Sequence, residues 1–376
     1  MTLSRININP ENLTWAIRRA GFDEDDFLEK HPKVREWIDG KEPTVKQLEK
    51  FAHEVFVPFG YLFLDEHPKE ELPIPFFRTV SGHHQFDINI YDTLLSLVSR
   101  QQWLSEYLES NGIGRCGFIG KYSIHDSASH IADEIHHLLD LPYDWAFNCK
   151  DQGEAIRTIT KALENIGCTI SFLSQVGFQS SRKISVENCR GFALVDERAP
   201  FIFVNNNDAN TAQMFTLIHE FAHLLIGYSA GTGSKETLDK TENENEDFCD
   251  AVAARFLLEE NTFRDKWNEK RGKIDKVAKM FKVSRLATAR RALEINLLSR
   301  EDFFRYNQML KSEPKKESKQ TSGGGDPYKT VKKRVGYTFL IHIRNAIRSN
   351  MLLYNEAYRL TGINGHFFNK LITEQL

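Results

Sequence analysis

FTLIHEFAHLLIG, residues 215–227, sets two histidines four apart in a run that is otherwise almost wholly apolar. The spacing predicts a buried helix running from about Thr211 to Gly227, with the glycine as its stop. Positions i and i+4 lie on one helical face, so the imidazoles of His219 and His223 can reach a single ion. Neutral imidazole nitrogens suit zinc at ~2.0–2.1 Å, and a catalytic zinc keeps one position for water. Glu220 follows the first histidine directly, where its carboxylate can take a proton from that water and pass it to a leaving amine. In an apolar helix such polar side chains are costly unless something binds them. With thirteen histidines in 376 residues, an HExxH match arises by chance in roughly 0.04 chains of this kind.

Two histidines do not complete a metal site. Downstream, ENEDFCDAVAARFLL again sets two acids, Glu246 and Asp250, at i and i+4. We read Glu246 as the third ligand, and Asp250, one turn on, as the acid that orients a ligand imidazole. Ala251, Ala253 and Ala254 let this helix approach the first closely. The competing reading treats Glu242, Glu244, Glu246 and Asp247 as a solvated acidic run. Tyr228 and nearby histidines are candidates for stabilising an oxyanion. His136-His137, adjacent on a helix, cannot share a face and read as packing or surface residues, as do His83-His84.

Upstream of the helix the apolar period changes to two in CTISFL, GFALVD and FIFVN, and ERAP joins the last two as a hairpin. A small antiparallel sheet is therefore expected beside the helix. Residues 90–112, 125–140 and EAIRTITKALENIG read as helices. After the acidic segment 229–245, helix resumes over about 246–260, then in IDKVAKMF and SRLATARRALEI. Toward the N-terminus, residues 1–71 read as a bundle of short helices, with Thr44 an N-cap, and LPIPFFRT (72–79) as an extended connector. Residues 311–334 hold eight Lys/Arg against three acids, a local +5, and read as a flexible linker. Residues 335–376 regain a helical pattern. The expected class is α+β and mostly helical, divided at 1–71, 72–164, 165–310, 311–334 and 335–376.

The net charge of -3 predicts no general attraction to nucleic acid. Five scattered cysteines without a CxxC pair fit a reducing compartment better than a disulfide framework. The N-terminus lacks the apolar core of a signal peptide, and no run approaches the ~18 apolar residues of a membrane span. The chain reads as cytoplasmic, with no membrane partner.

FALVDERAPFIFVNNNDANTAQMFTLIHEFAHLLIG followed by EDFCDAVAARFLLEE resembles the ImmA/IrrE metallopeptidases of bacteria and their mobile elements, over about residues 165–300. The resemblance implies a zincin-like domain with His219, His223 and Glu246 holding Zn2+ in a gluzincin-like site and Glu220 as acid/base. It supports Asp250, although many relatives carry Asn there. It also implies an endopeptidase acting on a cognate protein, a DNA-bound repressor or a toxin–antitoxin partner, in a stress or mobile-element switch. The N-terminus with LPIPFFRT resembles relatives in which an XRE-like helix-turn-helix precedes the peptidase, which implies DNA as a partner of residues 1–71. Here the chain departs from the pattern. Leu28 to Gly40 is about four to five residues shorter than such a unit, and residues 1–71 carry ten basic against fifteen acidic side chains. FKVSRLATARRALEI (281–295) is a second helix-turn-helix-like stretch, read as part of the peptidase domain, with Arg285, Arg290 and Arg291 as a weak basic patch. The alternative function is a DNA-binding regulator or antitoxin whose peptidase-like domain docks a partner. A homodimer is compatible with either.

Overall fold

The computed structural model describes residues 5–68, 70, 74, 87–232, 240–313 and 326–376. The chain divides into two compact units, 1–73 with 78–94, and 74–77 with 95–376. Most of the connector 72–79, and His83-His84, lie outside the described residues, as do residues 314–325 of the expected linker.

The first unit is a bundle of short helices, α1 (Pro10–Arg19), α2 (Glu24–Lys30), α3 (Pro32–Ile38) and α4 (Val45–Glu54), closed by a 3-10 turn at Phe59–Phe63. Thr44 caps α4 in a reciprocal box with Gln47, so two otherwise unpaired backbone donors are satisfied by two side chains. Leu13, Ile17, Phe27, Trp37, Leu48 and Phe51 form its core. The shortened stretch 28–40 takes the form of two seven-residue helices, α2 and α3, separated by His31 alone.

The second unit begins within α5 (Ile88–Ser110) and continues through α6 (Ala128–Leu138), α7 (Gln152–Asn165), β1 (Thr169–Leu173), β2 (Gly191–Leu194), β3 (Phe201–Asn205), α8 (Asn210–Leu225) and β4 (Ala230–Thr232). Helices α9 (Lys240–Leu257), α10 (Glu260–Glu269), α11 (Ile274–Phe281), α12 (Arg285–Glu294) and α13 (Arg300–Ser312) follow. The chain closes with α14 (Pro327–Val335), α15 (Tyr337–Arg348), α16 (Tyr354–Thr361) and α17 (Gly365–Lys370). Among the described residues no helix is long and apolar enough to cross a membrane.

The sheet has the order β1-β3-β2-β4. The β2–β3 hairpin is antiparallel, with Leu194 opposite Phe201, and β4 adds antiparallel to β2. Asp196 fixes the hairpin turn by accepting from the backbone amides of Arg198 and Ala199 at 2.8 and 2.7 Å. Strand β1 runs parallel to β3, so the sheet is mixed rather than purely antiparallel. The reason is the long connection 174–190, which carries the chain back before β2 starts. Every residue of β1, β2 and β3 is buried, because both faces are covered. Ala193, Ile202 and Val204 share one core with Leu217, Ile218 and Phe221 of α8. On the opposite face Phe201 meets Phe339 of α15 edge-on at 5.9 Å. Gln101 of α5 donates to the carbonyls of Leu194 and Ala199 at 2.8 and 2.9 Å.

Helix α8 ends as its glycine predicts. Gly227 adopts a φ of +70° and donates to the Leu224 carbonyl. The segment before α6 then lies across this end: Gly120 and Tyr122 donate to the carbonyls of Leu224 and Leu225, both at 3.1 Å. A Cβ at 227 would stand 3.1 Å from the Cα of Gly120, so the two backbones meet only because both residues are glycine. Both exposed carbonyls are thereby paired, and the helix is pinned lengthwise. His136 is a packing residue of α6, buried with its ring nitrogens 3.0 and 3.1 Å from the carbonyls of Leu141 and Phe256.

Two expectations are corrected. Arg285, Arg290 and Arg291 do not make a basic patch. Arg285 pairs with Glu313 and Asp275, while Arg291 is buried, donating to the Leu258 carbonyl at 3.0 Å and pairing with Glu294 at 2.9 Å. Residues 327–335, read from composition as linker, form α14, which packs on β1. Its basic side chains lie along apolar surface: the Lys333 ammonium stands 4.5 Å from the Phe172 ring centre and the Arg334 guanidinium 4.3 Å from that of Phe178.

Glu164 of α7 accepts from the backbone amides of Tyr337 and Thr338, at 3.1 and 3.5 Å, at the start of α15. Burial pushes its pKa from 4.5 up to about 7, against the pull of those two amides. A folded-state pKa raised above the unfolded value means the folded chain holds the extra proton between pH 4.5 and about 7. Stability should therefore decline as pH rises through that window. Thermal unfolding of Glu164→Gln should show a flatter pH dependence there than the parent; an unchanged slope would assign the pH dependence elsewhere.

Candidate metal centre

Helix α8 is apolar on all sides, as a helix enclosed between a sheet and a second helix must be. His219, Glu220 and His223 are nevertheless 1, 0 and 0% exposed. The two imidazoles approach each other with their Nε2 atoms 3.1 Å apart. Helix α9 packs beside α8 and brings Glu246, itself buried, to both rings. One carboxylate oxygen stands 3.2 Å from Nε2 of His219, the other 3.0 Å from Nε2 of His223. One turn further along α9, Asp250 places an oxygen 3.0 Å from Nδ1 of His219, the ring nitrogen that faces away from the centre. The two helices thus bring together the five residues that sequence reasoning singled out. The side chain of Glu242 lies outside the described residues, and Glu244 is exposed.

The electrostatics of the cluster favour a cation. Burial alone would strip the proton from His219, but hydrogen bonds to Asp250 and Glu246 outweigh it and push the pKa up to about 10. Burial alone would raise Glu246, yet its bonds from His219 and His223 hold it at about 2. Burial lowers His223 further than its contact with Glu246 restores, and the charge on His219 adds to that effect. Left to itself, the centre holds a proton among donors that all converge on one point.

A metal ion fits that point better. The three ligand atoms from His219, His223 and Glu246 lie within 4.8 Å of one another, the one group of its kind among the described residues. Tetrahedral bonds of ~2.0–2.1 Å would separate ligand atoms by about 3.3 Å. The observed 3.0, 3.1 and 3.2 Å contacts need only a small expansion. Asp250 supplies the usual acceptor behind a ligand imidazole and fixes which ring nitrogen faces inward.

Residues 166–293 match the family model for the IrrE N-terminal-like domain, peptidase M78. This segment is an IrrE N-terminal-like domain. It runs from the end of α7 to the end of α12, so the IrrE-like segment holds both helices of the cluster and the whole sheet. Residues 335–374, beyond it, match the model of a domain of unknown function, DUF8813. A search of curated proteins gave no match. Among solved structures, a Mycobacterium tuberculosis transcriptional regulator aligns at 9% identity with a TM-score of 0.31. That alignment covers 54% of each chain, so this chain spans about half the length of that protein.

Sequence reasoning missed one residue of the IrrE-like site. Gly191 of β2 sits where a Cβ would stand 2.5 Å from Cγ2 of Thr216, 2.8 Å from the Phe203 carbonyl oxygen and 3.0 Å from a carboxylate oxygen of Glu220. The strand is hollowed there, and the Glu220 carboxylate lies against the hollow. A glycine in a strand signals close approach of this kind, although it cannot say of what. Gly191→Ala should cost about 1–3 kcal/mol of stability, read by thermal unfolding. It should also displace Glu220 while leaving metal content unchanged. Unaltered stability would show that the strand gives way freely. Tyr228, the oxyanion candidate, has its ring centre 6.1 Å from that of His223.

Proposed function

We propose that the chain is a zinc-dependent endopeptidase that cuts a cognate regulatory protein, a repressor or a toxin–antitoxin partner, in a bacterial stress or mobile-element switch. One observation carries the reading: His219, His223 and Glu246 converge from two helices while Glu220, equally buried, stands outside that ligand group. Two imidazoles and one carboxylate at this spacing suit zinc among the common divalent ions. The peptidase family of residues 166–293 supports the chemistry.

Zinc bound there would polarise a peptide carbonyl and make a water acidic enough to attack it. The residues of the chain do the rest. His219 and His223 present their Nε2 atoms to the ion, and Asp250 holds the His219 ring by its Nδ1. Glu246 supplies the negative charge that makes the set selective for a cation. Glu220 takes a proton from the attacking water and passes it to the leaving amine nitrogen. Strand β4 is an edge strand, so its outer side can add an extended substrate backbone as a further strand.

The test is metal analysis of the purified chain together with incubation with the product of the neighbouring gene. The expected result is about one zinc per chain and a discrete cleavage of that protein, both lost on chelation. A chain that binds no zinc would overturn the reading.

A further inference from the structure

A cleft of about 520 Å3 opens where α14, the loop around Phe178 and the turn between α16 and α17 meet. Phe178, Val331, Arg334, Gly362, Ile363 and Phe367 line it. None of these elements contributes to the metal centre.

The floor of this region holds positive charge with nothing to balance it. Arg100, on α5, is 6% exposed. Its Nε donates to the Leu360 carbonyl at 2.8 Å, two residues before the cleft-lining Gly362, while its Nη1 is buried without a hydrogen-bond partner. Arg334, in the cleft wall, donates from Nη2 to the Gly177 carbonyl, and its Nε is buried and likewise unpartnered. Neither guanidinium has a carboxylate beside it among the described residues. The charge that acts on Arg100 is that of Arg334, which repels it. Two desolvated cations facing each other without an anion are unfavourable, and chains ordinarily bury arginine only with a partner. An oxyanion between them would satisfy both, since the planar guanidinium matches carboxylate and phosphate geometry.

The remaining wall is flat and apolar. Phe178 is 44% exposed and lies under the Arg334 guanidinium. Phe367 stacks on Tyr328, with ring centres 4.6 Å apart and planes 3° from parallel, so its ring is held in place. Gly362, at a φ of +71°, lets the turn come so near Phe178 that a Cβ would stand 3.2 Å from its ring. The volume is that of a site for a small molecule, for which ~300–1,000 Å3 is usual.

We propose that this cleft binds a small molecule carrying an oxyanion beside a flat ring, the anion taken by Arg334 and Arg100 and the ring laid against Phe178 and Phe367. The site is independent of the metal centre, and its failure would leave the peptidase reading untouched.

Calorimetric titration of the full chain with adenosine 5′-monophosphate, inorganic phosphate and benzoate tests it. Saturable binding of the nucleotide is expected, with free phosphate weaker and competing for the same site. Benzoate binding more tightly than the nucleotide would make the anion a carboxylate. Arg334→Gln should weaken all binding by about tenfold or more, and Phe367→Ala should weaken the two ring-bearing probes but not phosphate. Arg100→Met should lose binding while the ligand-free chain unfolds at the same or a higher temperature, because an unbalanced charge has been removed. The proposal is overturned if none of the three probes binds saturably, or if Arg334→Gln binds them as the parent does. A lowered unfolding temperature for Arg100→Met would likewise overturn it, by showing Arg100 to be held for its bond to Leu360.

Discussion

Glu220→Gln is expected to keep about one zinc per chain and to lose cleavage of the cognate protein by ~10²–10⁴-fold. The side chain is fully buried, and it is not one of the three residues whose ligand atoms converge. Glutamine has the same shape and fills the same space against Gly191, so neither the fold nor the metal ligands should respond. What it cannot do is accept a proton. Metal analysis and a cleavage time course on the same sample separate these effects. Loss of zinc in this variant would make Glu220 a ligand or a packing residue. Undiminished cleavage would remove it from the chemistry altogether.

Glu246→Ala should have the opposite signature, because the metal itself is lost. Glu246 contacts both imidazoles and is the one carboxylate among the three converging residues. Without it the site keeps two neutral donors, too few to hold a divalent ion against water. The parent chain should be stabilised by zinc, by about 2.7 kcal/mol when free zinc stands at about a hundredfold its Kd. The variant should unfold at one temperature whether or not zinc is added. In the metal-free state it should also lose the ion pair that keeps His219 protonated, so that ring becomes neutral near pH 7. A zinc-dependent midpoint surviving in Glu246→Ala would show that another group, such as Asp250, completes the coordination.

Much of the site was legible because two local rules applied at once. Apolar continuity marked α8 as buried, and the four-residue spacing put His219 with His223, and Glu246 with Asp250, each on one face. The strands β1, β2 and β3 were legible from their β-branched and aromatic runs. Strand β4 was not, since Ala230–Thr232 has three small residues and owes its extended form to pairing with β2. The hollow at Gly191 was hidden for a similar reason, as its meaning depends on a carboxylate brought from α8. Helix α14 was misread because lysine-rich composition was taken for solvent exposure. Lys333 and Arg334 bury their stems on Phe172 and Phe178, and only the tertiary context shows where the apolar surface is.

The extent of the family match and the extent of the cooperative unit are different. Residues 166–293 contain every converging ligand, yet the last carbonyls of α8 are paired by Gly120 and Tyr122. On the other side of the sheet, Gly336 sits so near the Ile170 carbonyl of β1 that a Cβ there would be only 3.1 Å away. An excised 166–293 fragment would therefore leave frayed a helix end that the ion depends on, and would bare an apolar sheet face with its edge strand to other chains. Metal affinity in this protein is a property of the larger cooperative unit, and whatever loosens the C-terminal helices will be felt at the zinc site as a change in folding free energy.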